Sequence, residues 1–590
     1  MRISFWRNIA FGGIVSSFLL SSTCAVTAPT AAVTAPTEGN AYYVAVDGSN
    51  ANAGTIDKPF ATLDYAAGKV APGDTVFLRG GIYRIDREVK LSKSGTASDR
   101  IIYQAYQNEK PILDMSAVVE SWTNYADQIY KGTVSEDVFV ISDDHILTEA
   151  TSLEGMTEGT YFQTGQDLYV WCDGGGHPSS HDIGLLMKWS DVYVAAVNIS
   201  GNFVDFKNIT VRNVPGFGIY CEGTTSSRVI GCTTKYIDLN GIYVDSCIDT
   251  EVKDSIVHDA VMQNWPRGTG EWASGIGFQS GTDCSAIGNQ VYRNNGEGIL
   301  LYGNATSGGT KDMKVLHNTV YDNWSMNIYL DHASNAFVDS NLVYNTPDAP
   351  QSVVAADAFR ANPNGIFACE EYTYGKPGDL KNGIITNNVV INSGADFGYW
   401  YDTNAPKDIT PGLKNFLVAN NTFVAANGGC AVSIGYGDHS GTVFENNVLY
   451  GASAEGCLIY VPENSHFTYR NNCWYHEENS KPFVTEGSVE KIMSFAEWKT
   501  LMGIDSSNIW ADPQFTDLAN QNVHLKIHSP AIDHGFVYGI RFDCEGNIRP
   551  LGAAFDIGAY ESRPRHFFEL LLGGRFVLDG RIFSDNRFFA

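Results

Sequence analysis

The stretch Asn327-Ile-Tyr-Leu-Asp331 is followed by Gly365-Ile-Phe-Ala-Cys369, with Glu370 and Glu371 directly behind it. Both stretches read as short strands of one kind, so Asp331 and a Glu at 370 or 371 stand on neighbouring strands. Paired strands lie about 4.8 Å apart. Two carboxyls roughly 5 to 5.5 Å apart suit retaining cleavage of a glycosidic bond, and roughly 6.5 to 9.5 Å suits inversion. Two acids in succession put one of them on the outward face in either register. Asp402, one repeat further on, would orient a sugar hydroxyl or raise the pKa of the Glu by like-charge repulsion.

These strands belong to a longer series. Gly218-Ile-Tyr-Cys-Glu222, Gly241-Ile-Tyr-Val-Asp245, Gly275-Ile-Gly-Phe-Gln279, Gly298-Ile-Leu-Leu-Tyr302, Gly398-Tyr-Trp-Tyr-Asp402 and Ala431-Val-Ser-Ile-Gly435 align with the two above, their starts 23 to 38 residues apart. Such self-similarity marks a solenoid. Asn208, Asn289, Asn318, Asn341, Asn388, Asn421, Asn447 and Asn472 recur in step, each just before a short apolar run, where stacked Asn side chains bond from coil to coil. Together the two columns specify an all-β, right-handed parallel β-helix. Positions two and four of each repeat then face inward, and positions three and five outward. Position three lines up Tyr220, Tyr243, Gly277, Leu300, Tyr329, Phe367 and Trp400. Position five lines up Glu222, Asp245, Gln279, Tyr302, Asp331, Cys369 (with Glu370 beyond it) and Asp402. Aromatics beside carboxylates suit a carbohydrate groove, in which a sugar stacks its C–H face and presents hydroxyls to acceptors.

Around these coils the chain divides into distinct segments. Residues 1–25 have the layout of a secretory signal: Arg2 and Arg7, an apolar run from Ile9 to Leu20, then small residues. The run is too short to span a bilayer comfortably, and the signal implies a secreted or periplasmic protein. Residues 26–40 are a Thr/Ala/Pro linker. Residues 41–115 open the helix, with a capping helix over Ala61–Val70 that covers the first coil's edge. Residues 116–195 break the rhythm and read as an inserted small β subdomain. The main helix runs over 196–480, interrupted by long loops at 260–274 (with Trp272) and 346–364 that close the groove ends. A closing segment occupies 481–565, with a helix at Val489–Met502. Residues 566–590 form a Phe- and Arg-rich tail without periodicity. The net charge of −27 disfavours nucleic acid, anionic membranes and polyanionic substrates. None of the cysteines is spaced as a zinc ligand set.

Tyr329-Leu-Asp331, Asn341-Leu-Val-Tyr-Asn345 and Ile366-Phe-Ala-Cys-Glu370-Glu371 resemble the catalytic stretch of the β-helical β-xylosidases of glycoside hydrolase family 120, within the pectate-lyase-like superfamily. The opening segment, from Tyr43-Val-Ala-Val-Asp-Gly-Ser49 to Gly81-Ile-Tyr83, is similar both to that family and to family 9 pectate lyases. The resemblance implies Asp331 as nucleophile and Glu370 or Glu371 as acid/base. His332 and the doubled Glu depart from the family's pattern. The substrate-binding candidates are Asp402, Tyr302, Gln279, Tyr329, Phe367, Trp400, Asp245 and Trp272, with Tyr329, Phe367 and Trp400 as the stacking wall. The reading is a hydrolase of a neutral or weakly charged glycan, requiring no cofactor. Its rival is a lyase or epimerase of a uronate polymer, with Ca²⁺ on the acidic stripe, although the outward columns carry no Lys or Arg. The third reading is a non-catalytic glycan-binding β-helix.

Overall fold

The computed structural model describes residues 39–188, 194–265, 273–303, 309–349, 363–371, 380–401, 410–425 and 428–562, with the backbone of 576–578 and 581–583. Three sheets of 13 strands each run side by side, and within each sheet successive coils pair in parallel almost throughout. This is a parallel β-helix, as the repeats require. The first sheet carries the Gly-Ile repeats, and at position two Ile219, Ile242, Ile276, Ile299, Ile328 and Ile366 pair in lateral sequence. All are fully buried in one core that runs the length of the helix. Apolar area removed from water is worth about 25 cal/mol per Å², so one stacked column both fixes the register and supplies much of the stabilisation.

The Asn column forms a continuous ladder. From Asn289 through Asn318, Asn341, Asn388, Asn421, Asn447 and Asn472, each Nδ2 donates to the next Oδ1 at 2.9 to 3.1 Å. The ladder ends one coil later than expected, at Asn508. Asn208 is not a rung. It occupies the left-handed turn position (φ 58°) one residue before the ladder column, in line with His317, Ser340, Asn387 and Asn420 on later coils. Asn suits both places, as a ladder rung and as a residue tolerant of positive φ, so its identity alone does not separate them.

Both ends are covered. A helix at Leu63–Ala67, capped by Thr62 and shorter than expected, buries Leu63, Ala66 and Ala67 against the first coil. The second helix spans Phe495–Leu501 only, because a capping box between Ser494 and Glu497 starts it there. The preceding Lys491–Met493 instead turns back antiparallel on Phe483–Glu486 and ends the first sheet. Trp498, fully buried, closes the core against Trp474 and Phe483. Within residues 117–188 a three-stranded and a five-stranded sheet enclose a separate small core around Val138, Val140, Leu168 and Val170. Residues 1–38, with the expected signal and most of the linker, lie outside the described residues, and among those described no helix is long and apolar enough to cross a membrane. Cys430 and Cys457, paired laterally on adjacent coils, are joined as a disulfide.

Candidate active site

Asp331 ends the strand Met326–Asp331, where it pairs laterally with Tyr302 on one side and Cys369 on the other. It faces outward, as position five should, yet is only 1% exposed. The two acids behind Cys369 separate by parity. Ile366 and Ala368 face the core, and Glu370 continues that face: its Oε2 accepts from the hydroxyl of core Tyr399 at 2.9 Å and from the Gly412 N–H at 2.6 Å. Glu370 is thus a corner acid turned toward the interior. Glu371 is exposed and joins Asp331, its N–H donating to Asp331 Oδ1 at 3.3 Å.

Two buried side chains position this pair. The Tyr329 hydroxyl donates to Glu371 Oε1 at 2.6 Å. His332, in a left-handed conformation (φ 51°), places Nε2 2.5 Å from the Glu371 carbonyl oxygen and 3.6 Å from Asp331 Oδ1. The side chain next to Asp331 therefore ties the Glu371 backbone to the Asp331 strand.

Burial pushes the Asp331 carboxyl well above the usual carboxylate range, with further elevation from the charges of Glu371, Glu297 and Glu370. Asp331 is enclosed, 1% exposed, whereas the Glu371 side chain reaches solvent.

Glu297 is a further acid, one that the repeat alignment overlooks. It opens the strand Glu297–Tyr302, is 5% exposed, and has no partner for Oε2 among the described residues. Burial and then the Glu371 charge push its carboxyl up to about 8. A signal exists: the residues just before the aligned repeats run Phe217, Asn240, Ser274, Glu297, Met326, Asn364, a column with a single acid. A raised carboxyl binds more protons folded than unfolded between its two pKa values, so its contribution to stability falls as pH rises from about 4.5 to about 8. Glu297→Gln is therefore expected to flatten that part of the stability profile in thermal melts across pH; an unchanged slope would show Glu297 ionised throughout.

The row N-terminal to Asp331 is as expected: Asp245, Gln279 and Tyr302 are lateral neighbours and half-buried. The Tyr220 hydroxyl donates to Asp245 Oδ2 at 3.3 Å, and that of Tyr243 to Gln279 Oε1. C-terminal to Asp331 the alignment needs correction. Gly398 pairs with Phe367 and Trp400 with Cys369, so this coil is shifted by two residues and Phe397, not Tyr399, occupies position two. A two-residue shift preserves the inward and outward pattern, which leaves it invisible in the sequence. Trp400 therefore stands in the Asp331 column, 38% exposed, two coils beyond the acid. Tyr329 and Phe367, at 4% and 9% exposure, are packed in a small outer cluster and form no open stacking wall. Phe367 lies across Gly398, where an added Cβ would come within 2.3 Å of its ring. Asp402 and Trp272, with residues 266–272 of the first expected loop and 350–362 of the second, lie outside the described residues.

Ca²⁺ takes six to eight oxygen ligands, largely ionised carboxylates. Among the described residues no group of three or more His, Cys, Asp or Glu could hold a metal ion.

Residues 42–323 match the family model described as the Pel9A-like, right handed beta helix region, which gives the helix its hand. The uncharacterized protein YwoF of Bacillus subtilis (strain 168) is 25% identical over 556 residues, covering 89% of this chain and 98% of that protein. Pectate lyase PEL9 of Emericella nidulans is 42% identical over 72 residues, 12% of this chain and 18% of that enzyme. Among solved structures, the complex of XylC with xylose is similar over 89% of this chain and 99% of that one, with a TM-score of 0.51 and 11% identity. At that identity the likeness shows the fold alone.

Proposed function

We propose that this protein is a carbohydrate-active enzyme, a glycoside hydrolase that cleaves a neutral or weakly charged glycan with Asp331 and Glu371. The observation that carries the reading is the pairing of Asp331, whose carboxyl burial pushes up, with an exposed Glu371 whose side chain accepts from Tyr329. Carboxyls whose surroundings push their pKa values apart take the acid and base roles. Burial favours the opposite division from the one the family resemblance implies. Glu371 attacks the anomeric carbon, Asp331 gives its proton to the departing glycosidic oxygen, and Asp331 then takes a proton from the water that cleaves the glycosyl ester. Trp400 offers a stacking face two coils beyond, while Tyr302, Gln279 and Asp245 offer polar contacts on the other side. The net charge of −27 favours uncharged substrates.

A panel of aryl glycosides and neutral oligosaccharides tests the class of reaction, and activity confined to uronate polymers would overturn it. Tyr329→Phe removes the donor to Glu371, and hydrogen bonds to charged groups contribute about 1.5–3 kcal/mol. The expected loss in kcat/KM is about 10- to 100-fold; an unchanged value would remove Tyr329 from the site.

A second reading, β-elimination on a uronate polymer, is favoured by the local match to pectate lyase PEL9. It predicts an unsaturated product absorbing in the ultraviolet and loss of activity with a chelator, neither of which the hydrolase gives.

A further inference from the structure

The C-terminal closing segment lays a row of apolar side chains along one corner of the helix. Phe536 is held at both backbone groups by Asn446, its N–H donating to Oδ1 at 2.8 Å and its carbonyl accepting from Nδ2 at 2.9 Å. Tyr538 donates to Asn420 Oδ1 at 2.9 Å, and the Phe542 carbonyl accepts from Asn387 Nδ2 at 3.1 Å. Asn387, Asn420 and Asn446 hold the same turn position on successive coils. The row therefore runs along the helix axis for two coil spacings, about 10 Å. Ile548 joins it by a backbone bridge to Phe542. Phe536 is 52% exposed, Val537 49%, Phe542 52% and Ile548 63%. Single exposed apolar residues are ordinary, but several fixed along one ridge mark a contact surface.

The chain itself supplies an occupant. The Glu561 N–H donates to Asp543 Oδ2 at 2.8 Å, so the closing segment ends one residue from Phe542. The C-terminal tail, residues 563–590, is rich in large apolar residues, including Phe567-Phe568, Leu570 to Leu572 and Phe588-Phe589. Its described part is an antiparallel hairpin in which Phe576 pairs with Phe583 and Val577 with Ile582 across Asp579-Gly580. A lone two-stranded hairpin is at best marginally stable in water and needs an apolar surface. The tail also carries five arginines, Arg563, Arg565, Arg575, Arg581 and Arg587, against three acids, Glu569, Asp579 and Asp585, in a chain of net charge −27. We infer that residues 563–590 fold back on their own chain and cover the ridge of Phe536, Val537, Phe542 and Ile548 with the hairpin.

Hydroxyl-radical footprinting tests this by comparing the full chain with one ending at Ser562. Peptides containing Phe536 and Phe542 are expected to oxidise several-fold faster in the shortened chain; equal rates in the two would overturn the inference. Trypsin provides a second readout on the full chain that does not depend on the shortened one folding. Cleavage after Arg575 and Arg581 is expected to be slow in the parent and several-fold faster in the Phe542→Ser/Ile548→Ser variant, and equal rates would again overturn it. Protection of the ridge that disappears on dilution would assign the surface to a second copy and reject docking in cis.

Discussion

Asp331→Asn is expected to lower kcat on an unactivated glycoside by about 10²–10⁴-fold, the usual contribution of a positioned acid/base, while leaving the fold intact or slightly more stable. Stability does not suffer because Asn needs no proton to remain neutral in a site whose burial disfavours a carboxylate. The loss should shrink with an aryl substrate whose leaving group needs no proton. Azide then distinguishes the roles. With Asp331→Ala, azide takes the place of water and returns a glycosyl azide of the substrate's own configuration. With Glu371→Ala, azide attacks the anomeric carbon directly and gives the opposite configuration. The reverse pattern would make Asp331 the nucleophile and reject the division of roles drawn from burial. The pH profile carries the same sign. A raised acid is protonated and competent below its folded pKa, so the Asp331 limb of kcat/KM should fall as pH rises through a value well above the ordinary carboxylate range. A limb that instead climbed with pH in that region would show that Asp331 must ionise to act.

Asn388→Ala is expected to be the most damaging substitution outside the site, costing about 3–5 kcal/mol. Asn388 Oδ1 accepts both the backbone N–H and the Nδ2 of Asn341, at 3.0 and 2.9 Å. Its own Nδ2 donates to the Val338 carbonyl at 2.9 Å and to Asn421 Oδ1 at 3.0 Å. All these groups are fully or almost fully buried, so truncation strands donors and acceptors from two neighbouring coils, each costing about 1–3 kcal/mol when left unpaired. Denaturant unfolding measures the loss. Asn208→Ala serves as the comparison, because that residue holds a turn rather than a rung and should cost much less. Similar losses in the two variants would show that the ladder adds nothing specific.

The fold is legible in the sequence because a solenoid writes the same physical demand many times. Each coil needs an apolar residue at position two, and most need a small residue ahead of it and an Asn at the corner, so repetition makes each column visible. The row Asp245, Gln279, Tyr302, Asp331 comes from the same counting. Sequence alone also places a carboxyl pair at Asp331 and the Glu doublet, since successive residues on a strand must face opposite ways.

The tertiary structure decides what periodicity does not encode. It chooses Glu371 over Glu370, because a bond from Tyr399 holds Glu370 inward. It moves Trp400 into the Asp331 column, because a slip of two residues leaves the burial pattern unchanged. It brings in Glu297, which lies outside the repeat window, and it buries Asp331, which pushes that carboxyl up. An alternating pattern states which way a side chain points, but the surrounding chain determines how much water reaches it, and that water sets the charge.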